Sequence, residues 1–183
     1  WRPDRGLLGA DVCMHAGFGP VRRSQSVASF IAHLKPGRFT FWGTGTSAPC
    51  TSLFKPFWLD SGLPDMGRKP QGEYDPDSLF WRHEVLHREI LRDYPTRIKA
   101  ICAEREALEA EFLSEVERLS EGSIEERYQL SQHCLERSVL AEQRWLETVR
   151  RLPLTTRPAR FYDAFWRKMN RLNKIPQEVL DWV

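Results

Sequence analysis

The apolar pattern of this chain changes period once, and that change constrains the fold more than any other feature. Up to residue 60, apolar and turn residues read as strands and tight connections. From Ser78 onward, apolar residues recur at helical spacing. Between the two regions, residues 61–77 carry Pro64, Pro70 and Pro76 interleaved with Gly62, Gly67 and Gly72, the composition of a surface connection. Strands followed by helices, without βαβ alternation, predict an α+β fold. Its parts are antiparallel strands in 1–60, a Pro/Gly-rich connection in 61–77 and a helical region in 78–183. A chain of 183 residues can bury one good core, or one domain with an appendage.

The first region predicts a meander of about four strands. Residues 11–18 read as one. Residues 26–34 read as the next, with Ala28, Phe30, Ala32 and Leu34 on one face and Ser29 and His33 on the other. Lys35-Pro36-Gly37 makes a turn, since proline fixes one φ and glycine permits a positive one. Residues 39–59, FTFWGTGTSAPCTSLFKPFWL, then read as two strands around a Gly/Thr/Ser/Pro turn.

The second region predicts an array of helices. Asp77 or Ser78 can cap the first, which carries Leu79, Leu86 and Ile90. Pro95 breaks it near Tyr94. A long helix from about Thr96 to Leu119 follows, with Ile101, Leu108, Phe112 and Leu119 on one stripe. Ser123-Ile124-Glu125-Glu126 matches a capping box and starts another helix, running to about Leu152 with Tyr128, Leu135, Val139, Leu146 and Val149 inward. The short connection makes these two helices antiparallel neighbours. Pro158 opens a further helix with Phe161, Phe165, Met169 and Leu172, and Pro176 starts a last turn.

Charge excludes some partners. With 27 basic against 25 acidic residues the net charge is +2, which gives no reason to expect nucleic acid or an anionic membrane. No apolar run is long enough to span a bilayer, and no signal peptide is visible. The chain opens Trp1-Arg2-Pro3 without a methionine, so the expectation is a start inside a longer protein. The 4 cysteines, Cys13, Cys50, Cys102 and Cys134, form no CxxC pair, which argues against a zinc ribbon or a dithiol redox motif. They read as free buried thiols of a reducing compartment, placing the protein in the cytoplasm.

The sharpest catalytic pattern is His83-Glu84-Val85-Leu86-His87, an HExxH sequence on a predicted helix. It puts two imidazoles on one face with a glutamate beside them, as a zinc peptidase requires. The opposing reading is two ordinary helix histidines, one half-buried and one on the surface. Cys13 and Cys50 are nucleophiles by residue type. His15, alone, reads as a hydrogen-bonded structural histidine. Arg22 and Arg23 read as solvated turn residues or as an anion clamp.

Four blocks carry a resemblance. Cys13-Met14-His15-Ala16-Gly17, Arg22-Arg23-Ser24-Gln25-Ser26, Trp42-Gly43-Thr44-Gly45-Thr46 and Phe54-Lys55-Pro56-Phe57 occur in the order found in the secernin and C69 dipeptidase family, and Arg82-His83-Glu84 matches the opening of that family's helix. The chain resembles the C-terminal part of these N-terminal-nucleophile hydrolases. The resemblance implies an αββα sandwich, two stacked antiparallel sheets between helical layers, to which this chain contributes strands and terminal helices. It implies cysteine-dependent hydrolysis of a dipeptide or N-acyl amide, with no cofactor. The nucleophile would be the first residue of the mature parent, outside this chain, so the chain alone is expected to be inactive. Arg22 would have a supporting catalytic role, and His15, Ser24 and Thr44 would lie against substrate. The missing N-terminal part of the same protein would be the main partner, and a homo-oligomer stays open. A catalytically degenerate interaction protein on the same scaffold is the alternative, beside the zinc peptidase.

Overall fold

The computed structural model describes residues 2–5, 13–119 and 122–182. Strands β1 (Phe30–Lys35), β2 (Arg38–Gly43) and β3 (Lys55–Phe57) form an antiparallel sheet in the order β1-β2-β3. Helices α1 (Leu79–Leu91), α2 (Tyr94–Arg97), α3 (Lys99–Arg118), α4 (Ile124–Arg151) and α5 (Arg160–Leu172) follow. The fold is α+β, a three-stranded antiparallel sheet succeeded by helices. Among the described residues, no helix is long and apolar enough to cross a membrane.

The β1–β2 hairpin pairs Phe30 with Gly43 through Lys35 with Arg38. Its two-residue turn is Pro36-Gly37, and Gly37 takes φ +72°, a conformation that costs glycine nothing. The expected strand at 26–34 pairs only from Phe30, because 23–29 has no ladder partner. The expected strand at 11–18 is also corrected. Residues 13–17 join no ladder, a single bridge links Phe18 to Arg22, and 11–12 lie outside the described residues. Ser26 still holds this segment: its N–H donates to Met14 O at 2.9 Å, and its hydroxyl accepts from Met14 N at 3.0 Å.

The two faces of the sheet differ. Thr40 and Trp42 are buried against the helices. On the opposite face Phe30, Phe41 and Phe57 group with centroids 5.5–5.9 Å apart. All of β1 is exposed, Phe30 at 58% and Leu34 at 64%, as is Phe39 on β2 at 55%. The alternation read from sequence therefore has no core on either side of β1.

One core lies under the sheet. Trp42, Leu53 and Trp58 meet Leu86 and Ile90 of α1, Ile101, Leu108, Phe112 and Val116 of α3, and Cys134, Ala141, Trp145 and Val149 of α4. A second joins Ala16, Trp81 and Leu91 to Tyr162 and Trp166 of α5 and to Ile175, Leu180 and Trp182. Helix α1 serves both cores and is buried nearly all round, from Leu79 to Leu91. Gly17 is where the second core closes: a Cβ there would stand 2.1 Å from Tyr162 Cε2.

The helix boundaries follow their signals with local shifts. Ser78 occupies the N-cap of α1 without a capping hydrogen bond from its side chain. Pro95 sits in the first turn of α2, and Ile98 separates α2 from α3, so the expected single helix is two in close succession. The capping box of α4 is complete: Glu126 N–H donates to Ser123 Oγ at 3.2 Å, and Ser123 N–H donates to Glu126 Oε2 at 2.7 Å. Helices α3 and α4 run antiparallel, since Arg137 meets Glu111 and Glu115 while Arg144 meets Glu104.

Two stripes need correction. On α4 the buried face is Ser131, Cys134, Leu135, Ser138, Ala141, Glu142, Trp145 and Val149, with Tyr128, Val139 and Leu146 only half-buried. Small residues on this face let α4 approach its neighbours closely. On α5 the buried residues are Tyr162, Trp166 and Asn170, whereas Phe161 is 81% exposed and Leu172 60%. On α4 the buried face includes small and polar residues, and on α5 it is turned toward Tyr162 and Trp166, with Phe165 and Met169 at its edge.

Candidate functional site

Helix α1 carries His83, Glu84 and His87, all fully buried. The expectation of one half-buried and one surface histidine is therefore wrong, because α1 has no surface face at these positions. His83 Nδ1 lies 2.9 Å from Glu142 Oε1 on α4, and its Nε2 lies 3.1 Å from Thr51 Oγ1. Both its nitrogens are engaged. His87 approaches Glu84 Oε1 at 3.4 Å, and its ring stands 5.8 Å from Trp166 and 6.1 Å from His15.

Glu84 binds four partners. It accepts from Arg88 Nε at 2.6 Å, from Gln25 Nε2 at 2.5 Å and from the Ser47 hydroxyl, and it faces His87. Burial would raise its pKa, but the Arg88 charge, the nearby His87 imidazole and the Ser47 hydroxyl outweigh it and hold the carboxyl well below its ordinary value. Burial also pushes the His87 imidazole down. The two HExxH imidazoles thus point to separate partners, and the glutamate between them is a crosslink. This geometry does not present a metal ligand pair with a free base.

The chemistry gathers elsewhere. One ligand atom from each of Cys13, His15 and Cys50 lies within 4.8 Å of the others. His15 is buried, with Nε2 3.3 Å from Cys50 Sγ. The thiols of Cys13 and Cys50 shift in opposite directions. The bond from Cys50 draws Cys13 well below the usual thiol range despite burial, with His15 contributing, and the same bond pushes Cys50 up. The Arg105 guanidinium on α3 donates to the Cys50 carbonyl. Wide spacing hid this cluster: the cysteines are far apart in sequence, and backbone contacts through Ser26 bring their segments together. Ala48 N–H donates to Ser26 O at 2.9 Å, fixing the Pro49–Thr51 turn beside the Met14 segment.

The other predicted residues fall as follows. Arg22 is buried, not solvated. Its Nη2 donates to Pro3 O at 2.7 Å and its guanidinium lies 4.6 Å over the Phe18 ring. Arg23 and Ser24 are exposed. Thr44 is buried, and its hydroxyl accepts from Ser29 N at 3.0 Å. Gln25 belongs to the Arg22–Ser26 block, and Ser47 follows the Trp42–Thr46 block directly; neither residue type signals a carboxylate partner on α1. A cleft of about 310 Å³ opens at a different place, between α1 and α4, with Arg82, Glu142 and Arg150 on its wall.

The site is thus a thiol–imidazole cluster on irregular backbone, backed by a buried carboxylate hub on α1. Compared with known proteins, the chain matches no family model, no curated protein and no solved structure.

Proposed function

We propose that this chain is the C-terminal part of a secernin-like amide hydrolase that cleaves dipeptides or N-acyl amides with an N-terminal cysteine supplied from outside the chain. The observation that carries the reading is the uncovered hairpin. Phe30, Leu34 and Phe39 are more than half exposed on the face where Phe41 and Phe57 group. A second sheet stacked there, as in an αββα sandwich, would bury that aromatic face. The blocks that carry the resemblance also converge. Ser26 binds Met14 and Gln25 binds Glu84, while Ser47 and Ala48, just past the Trp42–Thr46 block, bind Glu84 and Ser26.

In this reading the parent's nucleophile uses its own α-amine as base. Arg22 supports the site, and His15, Ser24 and Thr44 lie on the substrate side. Thr44 acts there through its backbone position, since its hydroxyl braces Ser29. The free thiols suit the cytoplasm.

The test uses the longer polypeptide encoded by the same gene. Mass spectrometry should find cysteine as its first residue after processing, and an electrophilic dipeptide analogue should add to that cysteine. A different first residue would instead establish the degenerate interaction protein.

A further inference from the structure

We propose that Cys13, His15 and Cys50 bind one zinc ion, with a fourth position open to water or a ligand. The inference stands on these three side chains alone and is independent of the hydrolase reading.

Local structure explains why they converge. Residues 14–17 form no helix, turn or ladder, and the Ser26 hydrogen bonds to Met14 fix the backbone between Cys13 and His15. Cys13 and His15 therefore form one arm. Cys50 belongs to the 3-10 turn Pro49–Thr51, and forms the other. Ser26 clamps both arms. It exchanges hydrogen bonds with Met14 and accepts from Ala48 N–H at 2.9 Å. The turn is braced from below, where Thr51 Oγ1 donates to Ala48 O at 2.9 Å and lies 3.1 Å from His83 Nε2. The donors are held before any ion arrives.

The donor set selects the ion. Two thiolates and one imidazole suit zinc, and Cys₂His with an open position is a catalytic-type zinc set. Tetrahedral zinc bonds of ordinary length place sulfur and nitrogen roughly 3.6 Å apart. Here Cys50 Sγ and His15 Nε2 are 3.3 Å apart, and one ligand atom of each of the three residues lies within 4.8 Å of the others. Closing the site needs shifts of a few tenths of an ångström to about one. Zinc binds both sulfurs as thiolates, so any proton on them goes to solvent, and His15 binds through its Nε2 lone pair. No electrons are transferred.

The experiment titrates the reduced whole chain with Co²⁺, then with Zn²⁺. One equivalent of cobalt should produce a thiolate charge-transfer band and tetrahedral d–d bands, and one equivalent of zinc should erase them. Cys13→Ser and Cys50→Ser should lose stoichiometric binding, while Cys102→Ser should keep it. A measurement on the unmutated chain guards against misfolded variants. Zinc should protect Cys13 and Cys50 from alkylation, read by peptide mass spectrometry, and leave the labelling of Cys102 unchanged. Substoichiometric cobalt without a thiolate band, or equal labelling with and without zinc, would overturn the site. So would a Cys13–Cys50 disulfide that forms in air at the same rate with and without zinc.

Discussion

Asp93 shows how one buried carboxylate sets a pH limit. It accepts from Thr155 N and Oγ1 at 2.7 and 2.8 Å, and from Thr156 N and Oγ1 at 3.2 and 2.6 Å, tying the α1–α2 corner to the segment before α5. Burial alone would raise its pKa; the hydroxyls of Thr156 and Thr155 and their N–H groups outweigh it and bring it down to about 2. A carboxyl with a depressed folded pKa stabilises above its unfolded value near 4 and loses that contribution as pH falls toward 2. Stability should therefore drop between about pH 4 and pH 2, with Glu84 and Glu142, also lowered, acting in the same direction. Asp93→Asn should cost about 1–3 kcal/mol at pH 7 and flatten that acid limb, measured by urea unfolding across pH. Glu84→Gln leaves the buried Arg88 without its charge partner and should cost about 3–5 kcal/mol by the same measurement. Arg22→Lys should cost roughly 1–3 kcal/mol in a melting experiment, because it removes a buried bond to Pro3 and a guanidinium from the Phe18 ring. A solvated turn arginine, one of the two readings from sequence, would instead change stability little. Residue type marks His83, Glu84, Cys13 and Cys50 as candidates and His15 as a structural histidine, but partners such as Gln25, Ser47, Thr51 and Glu142 are distant in sequence and carry no local signal.

Elements were more legible than sites, where their signals are local. The capping box at Ser123 and the Pro95 break are steric and hydrogen-bonding rules over a few residues, and both hold. The Pro36-Gly37 hairpin holds for the same reason. Failures came where pairing or burial is decided at long range. Residues 13–17 have strand composition but no ladder partner, and the buried face of α4 was misread because Ser131, Ser138 and Ala141 pack where large apolar residues were sought. Ser123→Ala should cost about 1 kcal/mol of stability, seen as a lower melting temperature. Phe112→Ala, which empties a fully buried ring site on α3, should cost about 3–5 kcal/mol.

The whole molecule has two cores joined by α1 and a sheet covered on one side only. A buried helix with paired charges positions the site segments, while the aromatic face of the hairpin stays open. Charge balance and the absence of a long apolar helix say little about such a layout, and the exposed hairpin could not be read from alternation, which predicts a buried face for every amphipathic strand. The central proposal is that a longer parent protein supplies both a second sheet over this face and the nucleophile. Dipeptide hydrolysis, assayed side by side for this chain and for the longer polypeptide of the same gene, tests it most directly. The account predicts no turnover by the chain and turnover by the longer polypeptide that disappears when its first cysteine is alkylated. Cysteine-dependent cleavage by the chain alone, or none by the longer polypeptide, would contradict it.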